Sequence, residues 1–133
     1  MGRPLTILLL LCTVMSAASA VAQPPPRAVY VNIRPDFVTN FDEGARLKYL
    51  KAAVSLKVEP FSEEMVRYHL PSIKNRLIIL FSAQAEENLT STVGRETLRR
   101  EALDEVKNVM GQMERDGAAT IEDLFFTNFV IQQ

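Results

Sequence analysis

Cysteine occurs once in the 133 residues, as Cys12, and tryptophan not at all. Cys12 lies inside an N-terminal apolar run, so everything after it lacks a thiol. That excludes a disulfide framework and a cysteine-based metal site. Histidine is also single, His69. A lone histidine with no cysteine beside it is a weak candidate for ligation or acid–base work, and a structural role fits it better. Charge is balanced, at a net −1 with 23% charged residues, and no run of one sign exceeds a few positions. This gives no electrostatic footprint for nucleic acid. Glycines are few and isolated, with no phosphate-cradling loop. The serines lie in no nucleophile-elbow context. Glu63-Glu64, Glu86-Glu87 and Glu122-Asp123 are adjacent carboxylates, whose side chains diverge on a helix or a strand. Nothing in the chain predicts an enzyme, a cofactor or a metal.

What is present begins with a 22-residue segment, "MGRPLTILLLLCTVMSAASAVA". Arg3 supplies a positive start. Leu5, Ile7, Leu8, Leu9, Leu10, Leu11 and Val14 form the apolar heart. Small residues with two A-x-A triplets follow. Two readings fit: a cleaved secretory signal, or a membrane anchor at the lower limit of spanning length. Both place the rest of the chain across the membrane. Residues 23–28 bring three consecutive prolines, which favour a stiff polyproline spacer. The folded domain is expected over 29–133.

Within that domain Val29, Val31 and Ile33 alternate with polar neighbours and predict a strand ending at Pro35-Asp36. Asp42-Glu43-Gly44 reads as a turn. Arg46 to Glu59 keeps strict period two, with Leu50, Ala52, Val54, Leu56 and Val58 on one face, which predicts a long antiparallel strand. Ser62 is a plausible helix cap, followed by Val66, Leu70, Ile73, Leu77 and Leu80 at helical spacing. Pro71 should split that helix after about two turns. Ala85 to Asn88 reads as a polar break. Thr92 is expected to cap a second helix to about Met113, with Leu98, Ala102, Val106, Val109 and Met113 inward and Glu96–Arg100 and Arg100–Asp104 pairs outward.

The chain finishes on "LFFTNFVIQQ", a strand over Ile121 to Gln132. Strict alternation sets Phe125, Thr127, Phe129 and Ile131 on one face, and Leu124, Phe126, Asn128 and Val130 on the other. One face would meet the helices. The other, carrying Phe125, Phe129 and Ile131, is a candidate interaction or oligomer face. The order β-β-α-α-β predicts an α+β fold, with helices on one face of an antiparallel-containing sheet.

Five blocks in this order resemble one family. "YVNIRPDFVTNF" (30–41), "RLKYLKAAVSLKVE" (46–59), "HLPSIKNRLIILFS" (69–82), "VGRETLRREALDEVKNVM" (93–110) and "DLFFTNFVIQ" (123–132) are similar to successive segments of the bacterial flagellar basal-body protein FliL. The last block is the most specific. The resemblance implies a stomatin-like (SPFH) fold, a periplasmic domain on a single inner-membrane span, and a ring-forming homo-oligomer. It also implies flagellar stator and basal-body partners, no catalysis, and an effect on rotation in motility and chemotaxis. The chain departs from the family pattern in having only Met1 to Pro4 before its apolar run. The alternative is a stomatin-like periplasmic scaffold with no flagellar role.

Overall fold

A computed structural model describes residues 21–42 and 47–132. The N-terminal apolar residues Leu5, Ile7, Leu8, Leu9, Leu10, Leu11 and Val14, and the turn expected at Glu43-Gly44, lie outside the described residues. Three antiparallel strands form one sheet: β1 (Val29–Asp42), β2 (Leu47–Val58) and β3 (Ile121–Gln132), with β2 central. Between β2 and β3 run four helices: α1 (Glu63–Tyr68), α2 (Leu70–Ser82), α3 (Glu86–Thr90) and α4 (Thr92–Met113). The α+β class and the predicted order hold.

β2 alternates strictly because the helices cover only one of its two faces. Its Leu50, Ala52, Val54, Leu56 and Val58 are all buried beneath the helices. β1 does not stop at Pro35, as its sequence suggests. Ile33 pairs with Val54 and Phe37 with Ala52, so β1 inserts two residues more than its partner and then continues. The insertion is even. Val31, Ile33, Phe37, Thr39 and Phe41 therefore all stay on the helix side, where they are buried.

The first predicted helix is split, as Pro71 requires. The break falls at His69, and Pro71 takes the first turn of α2, where a missing N–H costs nothing. The restart also re-phases the stripe. Ile73, Leu77 and Phe81 are fully buried, while Leu70 and Leu80 only flank the core. Phe81 then meets Phe37 edge-on at 5.2 Å and Phe126 at 5.9 Å, tying α2 to both edge strands. A fully buried phenylalanine contributes about 1.5–3 kcal/mol through removal from water alone.

The expected polar break at 85–88 contains a helical turn, because Leu89 is buried and anchors α3. The cap of α4 is Ser91 rather than Thr92: its Oγ accepts from the Gly94 N–H at 2.9 Å. Gly94 has a second constraint, since a Cβ there would stand 2.6 Å from the Asn88 carbonyl oxygen. Leu98, Ala102, Val106 and Val109 face inward as expected, but Met110 replaces Met113, which is half-exposed beside Ile79 at the mouth of the α2–α4 cleft. After α4, Asp116 adopts a left-handed conformation (φ 58°) and Gly117 passes the Met110 carbonyl so closely that a Cβ would meet it at 2.2 Å. This tight reversal delivers the chain into β3.

Candidate interaction surface

β3 contains two spare residues. Val58 pairs with Ile121 and Lys57 with Asp123, leaving Glu122 over; Val54 pairs with Phe126 and Ala53 with Asn128, leaving Thr127 over. Each is a single-residue bulge, and a single extra residue shifts the alternation by one. The helix-facing residues are consequently Ile121, Leu124, Phe126, Phe129 and Ile131. Phe125, Asn128 and Val130 point to the opposite face, opposite Ser55, Ala53 and Lys51. The expected grouping of Phe125 with Phe129 and Ile131 is thereby corrected: only Phe125 of the three stands on the helix-free face. Strict alternation fails because the Thr127 bulge lies between them.

The helix-free face carries two apolar groupings separated by a polar centre. The Tyr30 and Phe125 rings approach to 6.4 Å, and Ser55, paired with Asn32 and Phe125, is buried on this face. Val38, Lys51 and Val130 form a second row, with both valines exposed. Lys57 and Glu122 pair at 2.8 Å, and the carboxylate hydrogen bond raises the lysine pKa. Between the rows, the β1 insertion and the Thr127 bulge face each other across Ala53. They enclose a shallow polar depression of about 210 Å³ lined by Asn32, Arg34, Asp36, Ala53 and Thr127.

A second concavity wraps the outer edge of β3. Thr92, Arg95, Glu96 and Arg99 of α4 face Phe125, Phe126 and Phe129 across an open groove of about 360 Å³. Phe126 and Phe129 meet edge-on at 5.0 Å. Arg95 stacks over Phe129 with its guanidinium carbon 5.8 Å from the ring centroid. Arg99 is the clamp between helix and strand. It donates to Glu96, to Asp123 Oδ1 at 2.7 Å and to the Leu124 carbonyl at 3.0 Å. Arg99 and Arg100 hold the Glu96 carboxyl down to about pH 2, and Glu96 in turn raises the Arg99 pKa. The Glu96–Arg100 pair expected from i,i+4 spacing is present at 3.0 Å; Arg100 turns to Glu96 and does not pair with Asp104. The Arg99–Asp123 contact spans 24 positions in sequence, beyond the reach of local pattern.

His69 has a partner that the sequence did not suggest. Its Nε2 lies 2.7 Å from Glu114 Oε1, across 45 residues, and its ring sits edge-on to Tyr68 at 5.0 Å. The pair ties the α1–α2 junction to the end of α4. Among the described residues no group of three histidines, cysteines or carboxylates could hold a metal ion. No described helix is long and apolar enough to cross a membrane.

A family model for "Flagellar basal body-associated protein FliL" matches residues 30–132, from the start of β1 to the end of β3. A flagellar protein FliL from Aquifex aeolicus is 22% identical over 111 residues, covering 82% of this chain and 65% of that protein. The chain therefore spans just under two thirds of that relative's length. With one domain matched through every strand and helix, the chain belongs to the family of flagellar basal body-associated FliL proteins.

Proposed function

We propose that this chain is a non-enzymatic accessory protein of the flagellar basal body. It associates with the ion-driven stator units and tunes rotation in motility and chemotaxis. The observation that carries this reading is the family match across the entire sheet-and-helix domain. The N-terminal segment supports a position at the inner membrane with the domain in the periplasm: anchored if the apolar run is kept, released if it is cleaved after the small-residue stretch. Residues 23–28 then act as a short stiff spacer, exposed as they enter β1.

Self-association into a ring belongs to the same proposal. Of the candidate residues, Phe129 and Ile131 pack against the helix layer. The surface left for a neighbouring subunit is the helix-free face, where Phe125 joins Tyr30, Val38 and Val130. The test is a chromosomal deletion scored for swimming speed and soft-agar spreading, combined with affinity purification of the tagged chain. Reduced or deregulated motility, with stator or basal-body proteins recovered, is the expected result. Unchanged motility with no such partner recovered would leave a membrane scaffold without a flagellar role.

A further inference from the structure

The two outer edges of the sheet are built differently. β1 carries Arg34, Pro35 and Asp36 in its insertion, and charge, proline and irregularity are the usual devices that keep an edge from pairing. The first half of β3 is guarded by side chains: the Leu124 N–H donates to Asp123 Oδ1 and its carbonyl accepts from Arg99. Past the Thr127 bulge the guard stops. Asn128-Phe-Val-Ile-Gln132 has no charged residue and no proline. It pairs with β2 on one side and has no strand partner on the other among the described residues.

The groove that meets this edge at Phe129 has a definite chemistry. Its wall is Phe126 and Phe129, and its rim is Arg95. Arg99 and Arg100 are both neutralised, by Glu96 and Asp123. Arg95 stacks on Phe129 and has no carboxylate partner among the described residues. Around the groove three guanidinium groups thus face two carboxylates, leaving one surplus positive charge.

We propose that the Asn128–Gln132 edge and the Arg95–Phe129 groove bind an extended acidic segment of a partner protein, which adds to β3 as a fourth strand. Main-chain hydrogen bonds along the open edge would supply affinity, and alternate side chains would supply selectivity. An apolar side chain of the partner lies against Phe126 and Phe129. A carboxylate of the partner pairs with Arg95, whose charge is already held in place by the ring beneath it. This surface is assigned from the edge and its charge, and it stands or falls independently of the flagellar reading.

The test uses the purified full chain in detergent and three fluorescein-labelled, end-blocked hexapeptides, read by anisotropy. One alternates valine and glutamate, one alternates valine and lysine, and one repeats the glutamate sequence with alternate amides N-methylated. The glutamate peptide is expected to saturate at a concentration at least about tenfold below the lysine peptide, a difference that charge complementarity in a partly desolvated site readily supplies. N-methylation should abolish binding, because it removes the donors a fourth strand needs. Arg95→Glu should reverse the preference between glutamate and lysine. Arg95 is exposed, and an unchanged circular dichroism spectrum would confirm that the variant is folded. The proposal is overturned by any of these: no saturable binding, equal binding of the lysine or N-methylated peptide, or a preference that survives Arg95→Glu. It is also overturned if light scattering shows a concentration-dependent oligomer that Arg95→Glu dissolves and the peptide cannot compete, since a second copy would then hold the edge.

Discussion

β1 and β3 flank the same central strand, and both carry residues the pairing does not need. β1 adds two between Ile33 and Phe37; β3 adds one at Glu122 and one at Thr127. The even insertion leaves the inward positions on a single alternation. The odd ones break it, so the inward residues of β3 run at spacings of three, two, three and two from Ile121 to Ile131. Face is decided by register against β2, and sequence parity follows it only when spare residues come in pairs.

This contrast can be broken most forcefully at β2, which has no spare residue. Deleting Ser55 must throw either Leu56 and Val58 or Leu50, Ala52 and Val54 onto the wrong face. Loss of the cooperative urea transition is expected. Deleting Thr127 removes only the bulge and keeps Phe126 on Val54 and Phe129 on Ala52. That variant should stay folded and lose at most about 2 kcal/mol.

Next comes the pair that alternation would treat alike. Phe129→Ala should cost about 2–3 kcal/mol, because its ring packs on Phe126 and the core. Phe125→Ala should cost under about 1 kcal/mol, because its ring is exposed on the helix-free face and packs on no buried core residue. Equal costs in denaturant titrations would restore the simple alternating strand. The even insertion of β1 has its own probe. It carries Thr39 to the buried side, where Oγ1 finds no hydrogen-bond partner among the described residues. Thr39→Val should therefore stabilise the domain by about 1 kcal/mol, because it removes an orphaned hydroxyl without changing shape. A loss of stability would place Thr39 elsewhere.

The smallest expected effect concerns the clamp that holds α4 to β3. The Glu96 carboxyl is lowered to about 2 by hydrogen bonds from Arg99 and Arg100. Its contribution is complete above the usual carboxylate range near pH 4.5 and disappears as the pH falls toward 2. The stability gap between the wild-type chain and Glu96→Gln should shrink over that window and be constant from pH 5 to 7. A gap that widens on acidification would contradict the assignment.

Much of this was legible in the sequence, for identifiable reasons. β2 showed its faces plainly because it is central and unbulged. The helix split at Pro71 followed from a missing donor. The bulges were illegible because Thr127 and Glu122 are ordinary strand residues with no glycine or proline to mark them. Phe81 and Met110 were missed because helix restarts and long helices shift the buried stripe away from fixed spacing. The His69–Glu114 and Arg99–Asp123 contacts join residues 45 and 24 positions apart, and only the fold brings them together.

Because Cys12 is the single cysteine of the chain, the register of β3 can be read out by cysteine labelling. In a Cys12→Ser background, single cysteines placed in turn at positions 124 to 131 can be followed by their rate of reaction with a maleimide under native conditions. The bulged register predicts slow labelling at 124, 126, 129 and 131 and fast labelling at 125, 128 and 130. Equal rates at 125 and 129, with slow labelling at 128 and 130, would contradict it.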